Sequence, residues 1–415
     1  MTSGSPCRRP AGLAASAICI GVAAWVGACR DADPPDAPRA PATPADRPAA
    51  TAAEAHAWVP RPIVIKATAP RPQPATDSAR LATSVGSSAG GGPAKAGPAK
   101  AAPRRAGPGE TRRFELTPAD SARWPVKGPA PLPGALLPEY RIIAYYGNPK
   151  STRMGILGQL PPAEMLPRLE RTATEWAKAE PGRKVMPALH LIATVAQGKP
   201  GAGGKYRLRH SDQLIEQVLG WAEERGWVVF LDVQIGHSTV ADELPHLVKY
   251  LERPYVHLAL DPEFAMKLGG VPGRRIGTLD ASDVNHAVGL LADIVDRKKL
   301  PPKVLVVHRF TQRMLTNHDR IRLDPRVQVV VDMDGFGASY LKGDAYKFFI
   351  VPEPVQYAGF KLFFKNDRDA RTRRPDFVPS CPRSVYESVG CGDDGLMTPA
   401  QVLQLYPQPL YIQYQ

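Results

Sequence analysis

Two pairs of carboxylates stand out in the second half of the chain. Asp261 and Glu263 flank Pro262, and Asp332 and Asp334 flank Met333. Each pair falls at the end of an apolar run, 255–260 and 327–333, that reads as a buried strand. Residues two apart in an extended chain share a face, so both members of a pair can turn toward one pocket. Carboxylates gathered there repel one another, which raises at least one pKa unless a cation or hydrogen bonds intervene. A protonated carboxyl beside an ionised one is the combination that glycoside hydrolysis uses.

The surrounding pattern supplies a frame for these pairs. Apolar runs at 141–146, 185–195, 227–235, 255–260, 304–308, 327–333 and 410–414 read as strands, with one more in either 347–351 or 359–364. Amphipathic stretches between them read as helices at 163–179, 211–225, 241–251, 282–298 and 398–405, with Ser211 and Ser282 as N-caps and Thr398-Pro399 as an N-cap and N1 pair. Eight such alternations in roughly 280 residues match an α/β fold of the (β/α)8 TIM-like barrel type. The chain ends directly after the eighth strand, so a closing helix is expected to be missing or to be replaced by the segment before Tyr140. A doubly wound open sheet is the alternative, but no glycine fingerprint follows the first strand.

In such a barrel the residues at the C-terminal ends of the strands line the mouth. Besides the carboxylate pairs these are Tyr145 and Tyr146 on strand one, His190 on strand two, Asp232, Gln234 and His237 on strand three, His308 on strand five and Gln413 on strand eight. Phe264, Phe336 and Tyr357 add aromatic surface on which sugar rings can stack.

The D-x-E at the end of strand four resembles that of the chitinase-like glycoside-hydrolase barrels. The resemblance implies Glu263 as general acid and Asp261 as its partner, with Tyr145, Asp232 and Asp334 positioning the sugar. Tyr146, Gln234, His308, Asp332 and Gln413 complete the expected substrate-binding set. Over the whole of that domain the chain resembles bacterial lipoproteins that carry a TIM-barrel, glycoside-hydrolase-like domain.

Other readings use the same residues. Asp261 can cap a turn after strand four, Asp332 and Asp334 can bind loop backbone, and His190 and His308 can be satisfied core histidines. Asp232, His237, Asp261, Glu263, His308 and Asp334 could instead hold a divalent metal that activates water. No H-E-x-x-H or strand-one H-x-H supports that, and the preferred reading calls for no metal and no cofactor. A third possibility is a barrel that binds a glycan or partner protein without catalysis.

The N-terminal part points to export. Arg8 and Arg9 precede an apolar stretch, 11–28, that ends in Val26-Gly27-Ala28-Cys29, a sequence resembling the bacterial lipobox. Residues 1–28 are therefore expected to form a signal peptide, with Cys29 lipidated and the protein held at the cell membrane or outer membrane. An uncleaved membrane anchor is the alternative. Residues 29–137, rich in Pro, Ala and Gly, read as a disordered tether before a barrel domain at 138–415. Within the tether, 58–65 and 114–124 hold apolar islands, read as sporadic linker residues.

The net charge of +13 is diffuse and partly in the tether (Lys95, Lys100, Arg104, Arg105, Arg112, Arg113). No nucleic-acid-binding motif accompanies it, so anionic lipid or cell-wall polymer is the expected partner of the arm, and the protein is expected to be a monomer. Cys381 and Cys391, ten positions apart among Gly and Pro, are expected to form a disulfide in an oxidising compartment.

Overall fold

The computed structural model describes residues 58–66, 119, 122–367 and 396–415. The expected signal peptide, Cys29, most of the tether, Cys381 and Cys391 lie outside them, and no disulfide occurs among the described residues.

Eight strands form a closed parallel barrel: β1 (Tyr140–Gly147), β2 (Lys184–Ala196), β3 (Val228–Val233), β4 (Val256–Leu260), β5 (Lys303–Arg309), β6 (Val327–Met333), β7 (Tyr357–Leu362) and β8 (Tyr411–Tyr414). Each pairs with the next, and β8 pairs back onto β1 with Ile142 opposite Tyr411. The architecture is thus a TIM-like barrel. The strands are buried on both faces, which explains why they read as near-continuous apolar runs.

The longer crossover helices are α1 (Pro162–Ala179), α2 (Asp212–Glu223), α3 (Ala281–Lys298) and α4 (Ser339–Phe349). In α1, Met165, Leu166, Leu169, Ala173, Trp176 and Ala177 recur at helical spacing and form the buried stripe. Ser211 caps α2 through the Leu214 amide, as expected. The start of α3 is fixed one turn-step earlier than Ser282 suggests: Asp280 is the N-cap, and Asp283 completes a capping box.

One open choice is settled and two expectations change. Of the two candidate stretches for strand seven, the second is the strand, and 347–351 falls at the end of α4. The helix expected at 241–251 is three short turns, Val240–Glu243, Leu244–His246 and Val248–Leu251, with Pro245 inside the break. The first apolar island is not free linker. Trp58 stacks on Tyr255 with ring centroids 5.7 Å apart, and Ile63 exchanges backbone hydrogen bonds with Val185.

Residues 122–137 also pack on the barrel. Trp124 is buried and donates from Nε1 to the Val351 carbonyl at 3.0 Å. The Leu137 backbone trades hydrogen bonds with the Gln328 amide, at 3.0 and 2.6 Å, closing the N-terminal end of the strands. A short strand, Arg207–Arg209, runs antiparallel to the far end of β2.

One close approach fixes a residue type in the barrel wall. A Cβ on Gly359 of β7 would lie 2.6 Å from Asp332 Oδ1 and 3.2 Å from the Asp332 Cα. Gly359→Ala is therefore expected to destabilise the fold by about 1–3 kcal/mol, as overpacking does. A thermal melt beside wild type checks this; an unchanged midpoint would mean the wall yields at no cost.

Candidate active site

Strand parity decides which side chains enter the barrel. Parallel partners share a face, and register links Tyr146 to His190, His190 to Phe230, His308 to Asp332, Asp332 to Gly359, and Lys361 to Gln413. These residues, with Asp232 and Gln234 two and four positions beyond Phe230, form the upper interior.

The opening is lined by Tyr146, Asp261, Glu263, Asp334, Lys361 and Arg275, with Phe264, Phe310, Phe336 and Phe363 supplying apolar walls. Counted out to solvent the space is ≈ 720 Å³, of which ≈ 60 Å³ can be occupied by the centre of a water molecule. It therefore admits small groups at its floor and a larger molecule only across its mouth.

Asp261 does two jobs at once. Its Oδ1 accepts from the Glu263 amide at 3.1 Å and caps the turn Pro262–Phe264, while Oδ2 accepts from Gln234 Nε2 at 3.2 Å. The turn places Glu263 at the edge of the opening, partly exposed, with no hydrogen-bond or ion-pair partner for its carboxyl among the described residues. Burial, followed by the charges of Asp261 and Asp334, holds Glu263 well above the usual carboxylate range. For Asp261, burial outweighs the attraction of His308 and Lys361, and Asp232 and Asp334 add to it, so its pKa is pushed up to about 7.

Below this rim lies a fully buried polar layer. Asp232 accepts from its neighbour's Val233 amide at 2.9 Å and from Tyr146 Oη at 3.3 Å. His190 Nε2 and His308 Nε2 each lie 3.9 Å from an Asp232 oxygen. His308 Nδ1 faces Asp332 and Asp334 at 3.4 and 3.3 Å. Burial opposes a charge on His308, but these carboxylates hold its pKa well above the ordinary value. Burial and the charges of His308 and Lys361 push His190 well below it. Lys361 Nζ sits 3.8 Å from the centroid of the Tyr146 ring, a cation–π contact.

Among the sequence-derived candidates, Tyr146, Asp261, Glu263 and Asp334 line the opening. Asp232, Gln234, His308, Asp332 and Gln413 belong to the buried layer beneath it, with no exposure above 1 %. Asp332 and Asp334 face His308 rather than loop backbone. Tyr145 is corrected: its parity is opposite to Tyr146, so it points outward, bonds Thr172 of α1 at 2.7 Å and packs on Tyr414 and Phe364. His237 stacks on Tyr206 and bonds the Gly270 carbonyl at 2.5 Å, away from the other acidic groups. Tyr357 opens β7 at the opposite end of the barrel. Lys361, Arg275, Phe310 and Phe363 were not anticipated. Lys361 is the lone charge in a buried strand of period two, a signal that becomes readable once β7 is assigned.

A scan against protein-family models gives no match, and a search of curated proteins gives none.

The raised pKa of Asp261 has a consequence for stability. Its folded value, about 7, exceeds the unfolded value near 3.8, so wild type loses stability as pH rises from about 4 through 7. Asn cannot ionise and loses only the hydrogen bond from Gln234, a cost independent of pH. The melting temperature of Asp261→Asn is thus expected to gain on wild type between pH 4 and pH 8. A constant difference across that range would show that Asp261 is not held protonated.

Proposed function

We propose that this protein is an exported, lipid-anchored barrel that hydrolyses glycosidic bonds of an envelope or extracellular polysaccharide. The observation that carries the reading is the state of Glu263: a carboxyl at the rim of the barrel mouth, free of cation partners and biased toward its protonated form. That is the condition of a general acid at neutral pH.

Asp261 holds the turn on which Glu263 sits, and burial of that turn keeps the Glu263 carboxyl biased toward its protonated form. Asp334, directly after β6, presents a second carboxylate to the same opening. Proton transfer from Glu263 to the glycosidic oxygen lets the C–O bond break with a sugar hydroxyl as leaving group; Asp334 is placed to stabilise the positive charge on the other sugar, which water then attacks, its proton returning to Glu263. The four phenylalanine walls suit the apolar faces of sugar rings, and Arg275 and Lys361 suit their hydroxyl or acidic substituents. The narrow floor favours a chain lying across the mouth with one group directed inward.

The lipobox-like Val26-Gly27-Ala28-Cys29 and the Pro/Ala-rich stretch after it support presentation of the barrel at a membrane surface. No helix among the described residues is long and apolar enough to cross a membrane.

The test is product release by the full chain, purified in detergent, from a panel of envelope and plant polysaccharides, with Glu263→Gln alongside. Wild type is expected to release sugar, and the variant to fall by roughly 10²–10⁴-fold with an unchanged melting temperature. Equal activity in both would remove Glu263 from the chemistry. Saturable binding with no product from wild type would make the barrel a presented binding module instead.

A further inference from the structure

We infer that the buried layer under the mouth is a binding site for one divalent transition-metal ion, held by His190 Nε2, His308 Nε2 and Asp232. The three ligand atoms lie within 4.8 Å of one another, and all three residues are fully buried. This inference is independent of the glycosidase reading.

Geometry supports it first. A metal bound by imidazole nitrogen and carboxylate oxygen at about 2.0–2.2 Å places neighbouring donors about 3 Å apart. The two nitrogens lie 3.9 Å from the two oxygens of Asp232 and converge on it from different strands, β2 and β5. A sub-ångström contraction of each side chain closes the set around an ion.

Unmet bonding capacity is the second support. His190 Nε2 and both ring nitrogens of His308 have no hydrogen-bond partner, although buried, and neither carboxylate oxygen of Asp332 has one. Buried polar atoms left so are rare and costly. An ion between the histidines would satisfy both Nε2 atoms together, which a single proton on either ring cannot do.

The outer groups complete the argument. Metal-bound histidines characteristically donate their other N–H to a carboxylate or another acceptor. His308 turns Nδ1 toward Asp332 and Asp334, and His190 turns Nδ1 toward Tyr411 Oη at 2.5 Å and the Gln413 amide at 3.0 Å. The required His190 tautomer carries its proton on Nδ1, with the Gln413 amide turned to present oxygen. Tyr146 bonds Asp232 and links the ion to the pocket above.

Charge balance points the same way. Asp232, Asp332, Asp334 and Asp261 crowd one interior, where Lys361 is joined by Lys342, which lies near Asp332 but is already paired with Asp367. The ligand chemistry, two imidazoles and a carboxylate without thiolate, suits Mn, Fe, Co, Ni or Zn in the divalent state and leaves positions open for water or a ligand.

The experiment strips the full chain with chelator, adds Co²⁺ or Zn²⁺, and reads stoichiometry, melting temperature and the visible spectrum of the Co²⁺ form. One ion per chain is expected, with a raised melting temperature. His190→Gln and Asp232→Asn are expected to weaken binding at least 100-fold, while Cys381→Ser/Cys391→Ser and the exposed-site variant His237→Ala bind as wild type does. Absence of saturable uptake, sulfur-to-cobalt charge transfer, or retention of affinity in His190→Gln would each overturn the site. Should the buried variants fail to fold, X-ray absorption on wild-type Co²⁺ protein decides: two imidazole ligands uphold the assignment, and fewer than two sink it.

Discussion

The carboxylate of Asp232 is the group around which the upper interior is arranged. It sits on β3, wholly removed from water, and draws in Tyr146 from β1, His190 from β2 and His308 from β5. An isolated carboxylate at such a depth would be prohibitively costly. Its neighbours are therefore not independent choices. His308 is drawn toward Asp232 on one side and toward Asp332 and Asp334 on the other, so carboxylates on β3 and β6 are coupled through one ring. Tyr146 links that layer to the opening, where its ring also carries Lys361. A change at Asp232 would accordingly be felt on at least five strands.

The two ends of the barrel divide the work. At the N-terminal end the closure is made by chain segments rather than by function-bearing side chains: the Leu137 backbone on Gln328, Trp124 under Val351, and Trp58 on Tyr255. These contacts fix strand positions. At the C-terminal end the acids and histidines accumulate, and several polar atoms there are left without partners. Such a division, closure below and clustered ionisable groups above, is what parallel barrels permit, because the strands set positions while their upper ends and loops vary.

Much of this was legible in the order of residues, for physical reasons that also mark where legibility stops. A parallel strand buried on both faces announces itself by continuous apolar residues, so seven of the strand assignments needed only hydrophobicity and flanking turns. Carboxylates two apart at a strand end announce a shared face, which is how Asp261 with Glu263 and Asp332 with Asp334 came into view. Absolute parity is another matter. Tyr145 and Tyr146 differ by one position, and nothing local says which points inward; only pairing of β1 with β2 and β8 settles it. Lys361 stayed hidden because two apolar stretches competed for one strand. His190 and His308 were visible, but a sequence cannot say that their Nε2 atoms converge on one aspartate. Residues 58–66 looked like linker by composition, which weighs average apolar content and misses one aromatic stacked on a barrel residue.

The rim and the buried layer are separated by a single step of the pleat, yet they differ in what water can do for them. Glu263 can exchange its proton with solvent or with a bound molecule, and its neighbours only tune how tightly that proton is held. Asp232, His190 and His308 have no such recourse. Whatever satisfies them must come from the protein itself or from something small that enters before the mouth is filled. Gln234 connects the two levels, holding Asp261 with its amide nitrogen while its oxygen takes the Ala196 amide at 3.0 Å. The same amide nitrogen donates to Tyr146 Oη at 3.2 Å, and Tyr146 donates to Asp232, so a displacement of Asp232 reaches the turn that carries Glu263 through two side chains, without passing through solvent. The depth at which a polar group is buried, rather than its residue type alone, separates the group that can trade a proton from the groups that can only share a charge.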